Sequence, residues 1–140
     1  MRLDQITGDV IAGLPEGSAV RFDSRETVVE GDPVLLRIAL RNLIDNAIRH
    51  GHLPGSEPEI EVELLPGEIR VKDRGPGPPE TAGEGFHRFR EGSPGGTGLG
   101  LSIAAWIAEA HGGTLALEGR EGGGTVAVLR LGPANGGRPD

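Results

Sequence analysis

Apolar positions recur at helical spacing in three stretches of the chain and alternate with polar ones in several others. In "RLDQITGDVIAGL" the steps from Leu3 to Ile6, Val10 and Leu14 predict a short amphipathic helix. "DPVLLRIALRNLIDNAIRHG" carries the strongest helical pattern. Leu36, Leu40, Leu43, Ile44 and Ala47 form one apolar stripe, Asp32 suits the N-cap, Pro33 the first turn and Gly51 the position after the end. A third helix is expected from about Gly98 to His111, within "GGTGLGLSIAAWIAEAHGG". "SAVRFD" and "TVVEG" read as short strands. "EIEVELLPGEIRVKDRG" alternates around a Pro66-Gly67 turn, and "GTLALEGREGGGTVAVLRL" forms a second hairpin pattern. A loop rich in Gly, Pro and Arg runs from Arg74 to about Thr97. The order α-β-β-α-β-β-loop-α-β-β predicts an α/β two-layer sandwich, a mixed β-sheet packed on one face by about three helices.

The 140 residues suffice for one domain with one core. The 25 glycines and 11 prolines approach the level of disordered chains. Nine of the glycines, however, fall between Gly75 and Gly100, flanked by clear periodicity, so they mark a functional loop. "GPANGGRPD" at the C-terminus is expected to be a flexible tail, 132–140, after a domain spanning 1–131. The net charge of −7 argues against nucleic acid and anionic membrane surfaces as partners. With no cysteine there is neither a disulfide framework nor thiolate chemistry, in keeping with a cytoplasmic setting. No apolar run reaches the length of a membrane span.

Three features carry candidate chemistry. Asn42 and Asn46 lie four apart on one helix face, continued by Arg49 and His50. Neutral amide oxygens can ligate a hard cation without cancelling the charge that draws it to phosphates, and magnesium needs only one or two such protein ligands. Two amides facing water would be the ordinary alternative. Asp73, at a strand end before Gly75 and Gly77, can accept a hydrogen bond from an amino group such as that of adenine, although Asp, Gly and Pro are also ordinary turn residues. The glycine run before the third helix is neither a P-loop nor a dinucleotide fingerprint, since no Lys-Ser/Thr follows and no strand directly precedes it.

Together, in this order, "LRNLIDNAIRHG", "DRGPGPPE" and "FHRFREGSPGGTGLGLSIA" resemble the asparagine box, first glycine box, and phenylalanine box, lid and second glycine box of the ATP-binding, catalytic domain of sensor histidine kinases. That domain has the Bergerat ATP-binding fold, shared with DNA gyrase B. The resemblance runs from about Asp23 to Leu131 and implies ATP and Mg2+ as ligands. It implies that Asn46 ligates magnesium, that Asn42 assists at the metal or phosphates, that Arg49 faces the phosphates and that His50 lies against the nucleotide. Asp73 would read the adenine amino group, and Gly75 and Gly77 would form the floor and a hinge of a lid spanning about 78–97. Gly96, Thr97, Gly98, Leu99, Gly100 and Leu101 would open the helix against phosphate oxygens, whose charge the helix N-terminus favours, with Leu99 and Leu101 turned to the core. Phe86, Arg88 and Phe89 would anchor the lid or meet a partner helix.

Glu91 departs from the family, which often has arginine there, so Arg90 or Arg88 would take over a phosphate contact. The lid, "EGSPGG", is also short. None of His50, His52, His87 and His111 stands in a phosphoacceptor motif, and His111 is expected to sit against a helix dipole. The implied partners are therefore a separate dimerisation and phosphoacceptor helical domain and a downstream response regulator, in a parent kinase expected to be membrane-anchored. A regulatory module with an ATP-ordered lid, or a serine kinase of the anti-sigma type, are the alternatives.

Overall fold

The computed structural model describes residues 1–14, 20–23, 25–77, 86–88 and 99–132. Three helices, α1 (Leu3–Ala12), α2 (Pro33–His50) and α3 (Leu99–Ala110), cover one face of a six-stranded mixed sheet. Its strands are β1 (Val20–Phe22), β2 (Ile60–Leu65), β3 (Glu68–Lys72), β4 (Phe86–Arg88), β5 (Thr114–Gly119) and β6 (Thr125–Arg130), in the order β1-β2-β3-β6-β5-β4. Among the described residues β1 and β2 pair in parallel, and the other neighbouring pairs are antiparallel. Both predicted hairpins are present, and Gly67 turns the first with φ +66.

The register explains the layering. Val62 pairs with Val71, Val71 with Ala127 and Ile69 with Leu129, so these side chains share the face beneath the helices. From above come Leu36, Leu40, Leu43 and Ile44 of α2, all essentially buried, and Ala104, Ile107 and Ala108 of α3. The opposite face carries ion pairs instead, Glu61–Arg120 and Glu63–Lys72 at 3.1 Å and Glu68–Arg130 at 3.4 Å. Such partly solvated pairs contribute little each, about 0–1 kcal/mol; between them the same face also buries Ala116, Val126 and Val128.

α2 starts and stops as its sequence predicts. Asp32 Oδ1 accepts from the N–H of Val34 (2.9 Å) and Leu35 (3.2 Å), and Gly51 caps the end. α3 runs antiparallel to α2, because His111 at its C-terminal end meets Asp32 while Gly100 near its start meets Asn42. His111 is held by specific bonds rather than by the dipole alone. Its Nε2 accepts from the Asp32 N–H at 3.0 Å and its Nδ1–H donates to Ile107 O at 2.8 Å, which fixes the neutral tautomer with the proton on Nδ1.

Two expectations need correction. "TVVEG" is not a sheet strand. Val28 forms an isolated antiparallel bridge with Arg2, and Val29 and Met1 exchange backbone bonds, so the segment pairs with the chain's start before entering α2. The Arg74–Thr97 loop contains a strand, β4, which extends the sheet edge against β5. Gly132, placed in the tail, donates its N–H to His111 O, whereas 133–140 lie outside the described residues.

Near the N-terminus a buried carboxylate ties α1 to the segment before α2. Asp4 accepts from Arg2 Nε (2.9 Å) and Nη2 (2.7 Å), and from the Thr27 N–H (3.1 Å). The Arg2 bonds, opposed by desolvation and aided by Thr27, hold this carboxyl well below the usual carboxylate range. A depressed folded-state pKa gives stability that is complete above the unfolded value, about 4, and lost as pH falls below it. Melting temperatures measured from about pH 6 to pH 3 should therefore fall less steeply in Asp4→Asn than in the wild type. Parallel curves would show that another group carries the acid sensitivity.

Candidate nucleotide site

The second half of α2 builds one wall of a cleft. Asn42, Asp45, Asn46, Arg49 and His50 line it, with Gly100 from α3 opposite, around a volume of about 120 Å³. The helical period accounts for the set: four-residue steps from Asn42 to Asn46 to His50 and from Asp45 to Arg49 put these side chains on neighbouring rows. Asn42 and Asn46 are half-buried, whereas Arg49 and His50 are exposed. A Cβ added to Gly100 would stand 3.6 Å from Asn42 Oδ1, an ordinary contact, so it would fit but would narrow the cleft.

The structure adds Asp45 to the residues that the sequence pattern points to. Its carboxylate pairs with Arg49 Nε at 3.0 Å, and their i, i+4 spacing was the available signal. The cleft thus offers two amide oxygens, one carboxylate and one guanidinium. Hard oxygen donors of this kind fit a hard divalent cation that keeps other ligands of its own. Among the described residues no cluster of three or more His, Cys, Asp or Glu side chains could hold a metal without such help.

Asp73 follows β3 and is buried against the C-terminal end of α2. Its Oδ1 accepts from the N–H groups of Gly75 (2.9 Å) and Thr125 (3.1 Å). One oxygen is consumed by the fold, leaving Oδ2 for an external donor. The contact with α2 is close: a Cβ on Gly51 would lie 2.5 Å from Asp73 Cβ, and one on Gly75 2.9 Å from the Gly51 backbone. Gly75 is therefore glycine because the chain packs on itself there, and Gly77 because it holds φ +99. Gly51 directly follows His50, so the carboxylate stands at the end of the same helix whose last three turns line the cleft.

Leu101 is buried, as expected. Leu99 opens α3, and Phe86 and Arg88 lie in β4. Phe89, Arg90, Glu91, Gly96, Thr97 and Gly98, and the lid apart from β4, lie outside the described residues.

Residues 31–135 match the model of the histidine kinase-, DNA gyrase B- and HSP90-like ATPases. The chain belongs to this family. It is 36% identical over 133 residues to the sensor-type histidine kinase PrrB of Mycobacterium tuberculosis, covering 92% of this chain and 30% of that protein. To the signal transduction histidine-protein kinase AfsQ2 of Streptomyces coelicolor it is 42% identical over 139 residues, 91% of this chain and 25% of that one. The chain thus spans less than a third of the length of these relatives. In structure it is similar to the ATP-binding domain of PrrB from M. tuberculosis (TM-score 0.63, 32% identity, 94% of this chain and 92% of that one). The catalytic domain of the histidine kinase ThkA is similar too (TM-score 0.70, 29% identity, 94% and 92%). The described architecture, a mixed sheet under three helices, is that of histidine kinase ATP-binding domains, as the sequence led one to expect. This ATPase-family domain is an ATP-binding one, the counterpart of the catalytic segment of such kinases.

Proposed function

We propose that the domain binds ATP with Mg2+ and presents the γ-phosphate to a histidine on a separate helical phosphoacceptor domain, as the catalytic domain of a two-component sensor histidine kinase. The observation that carries this reading is the cleft in which α2 gathers Asn42, Asn46 and Arg49 beside Gly100, with the buried Asp73 carboxylate, outside that lining, packed against Gly51 at the end of the same helix. The sensor histidine kinases among its relatives favour it over a purely regulatory module or a serine kinase.

In this reading Asp73 Oδ2 accepts from the adenine amino group, and His50 lies against the nucleotide. Asn46, helped by Asn42, would hold Mg2+, which supplies charge neutralisation on the phosphates when bound. Arg49 turns its guanidinium from Asp45 towards the phosphates, an exchange that costs little because the pair is largely solvated. Arg90 or Arg88, with the backbone from Gly96 to Gly100, would complete the phosphate end. No general base is required of this chain: a neutral imidazole already offers its lone pair, so the domain contributes positioning and electrostatics. The response regulator would take the phosphoryl group from that histidine. We place the domain in the cytoplasm, where ATP is available, with the parent kinase anchored in a membrane; among the described residues no helix is long and apolar enough to cross one.

Mixing the domain with the matching helical domain and radiolabelled ATP should give an acid-labile label on the latter, and none would count against the reading. Asn46→Ala should cut the gain in ATP affinity on adding Mg2+ about tenfold, the loss of one ligand bond. Calorimetry with and without chelator measures that gain, and an unchanged value would remove Asn46 from the metal site.

A further inference from the structure

The Asp73 carboxylate is set by a segment about fifty residues away. Arg120, at the turn between β5 and β6, has a mostly buried side chain; its Nη1 donates to Asp73 O and its Nη2 to Glu61 Oε1, both at 3.1 Å. Arg74 answers from the other side, its Nη1 donating to Glu121 O (3.0 Å) and Gly123 O (2.9 Å). The turn is closed on itself, since Arg120 N–H donates to Gly124 O and Gly123 N–H to Arg120 O, both at 2.9 Å. Gly122, Gly123 and Gly124 hold φ of +86, +110 and +114, a run that L side chains rarely adopt. A Cβ on Gly124 would stand 2.0 Å from Asp73 O, so only bare backbone can come this close.

Every main-chain group of Asp73 is thereby engaged. Its N–H donates to Thr125 O (2.9 Å), its carbonyl accepts from Arg120, and its Oδ1 accepts from Thr125 and Gly75. With Oδ1 pinned, Oδ2 has one direction in which to point.

We propose that Arg120, with the glycine turn it closes, is a positioning device for base selection: it aims Oδ2 of Asp73, and so sets how much the purine 6-amino group contributes to binding. This rests on the reading of Asp73 as the base-recognising group. Arg120 is a positioning residue; its guanidinium reaches the main-chain carbonyl of Asp73 and the side-chain carboxylate of Glu61.

The probes are ATP and its 6-deamino analogue, purine riboside triphosphate, each titrated with Mg2+ by calorimetry well below the melting temperature. The wild type should prefer ATP. Arg120→Ala should weaken ATP about tenfold, the scale of one misaligned hydrogen bond, and leave the analogue within about twofold, so the preference collapses. Equal losses for both nucleotides, or none for either, would overturn the proposal, because a merely structural arginine affects both alike. Should Arg120→Ala not fold, Arg120→Gln, read the same way, decides. A wild type that binds ATP and analogue equally removes the role of Asp73 itself, and that result needs no variant to recognise.

Discussion

Asp73→Asn should lower the affinity for ATP and ADP about a hundredfold while the domain stays folded. The reason lies in the division of labour between the two carboxylate oxygens. Oδ1 accepts from the Gly75 and Thr125 N–H groups, and an amide oxygen can accept both bonds unchanged. The amide nitrogen would then take the place of Oδ2. It donates where the carboxylate accepts, so two donors would face each other in a buried position, a mismatch of about 3 kcal/mol. The same change should favour a 6-oxo purine, whose oxygen can accept from the new amide, and inosine triphosphate should lose much less affinity than ATP. Calorimetry with the two nucleotides, and a melting curve for the fold, give the comparison. Unchanged ATP affinity would show that this carboxylate does not read the base.

The contrast between α2 and its surroundings shows what a one-dimensional pattern can carry. The stripe Leu36, Leu40, Leu43, Ile44, Ala47 is a property of helical period alone, and all five are buried. Asn42 and Asn46 share a cleft for the same reason, and Asp32 and Gly51 act as caps through local bonds. Where the decisive contact is distant in sequence, the pattern fails. "TVVEG" has the valines of a strand, but its partners are residues 1 to 3, which no local rule selects. β4 has three residues, too few for alternation to register, and exists because β5 offers an edge. The setting of Asp73 was least legible of all, for it joins residues 47 and 52 positions apart: the pattern predicts the β5–β6 hairpin but not that its glycine turn packs on Asp73. Asp45 is legible only as the i, i+4 partner of Arg49, a spacing common on exposed helix faces and silent about a cleft.

Gly51→Ala should damage fold and site together. The backbone there has a negative φ, −96, so no left-handed conformation demands glycine and the effect argued is steric. The new methyl carbon would lie 2.5 Å from Ala47 O and from Asp73 Cβ, and 2.6 Å from Asp73 Cγ, distances that real contacts do not reach. Either the last turn of α2 or the end of β3 must yield. Overpacking of this kind costs about 1–3 kcal/mol, a sizeable part of the stability of a small domain. Because one of the two yielding parts is Asp73 itself, ATP affinity should fall about tenfold even at temperatures where the variant is folded. Gly8→Ala supplies the control: Gly8 lies inside α1, nothing stands within 4 Å of the added carbon, and the helix should gain about 0.5–1 kcal/mol with ATP binding unaltered. If Gly51→Ala melts with the wild type and binds ATP as well, the end of α2 does not buttress Asp73, and the link drawn between the helix that lines the cleft and the carboxylate beside it is broken.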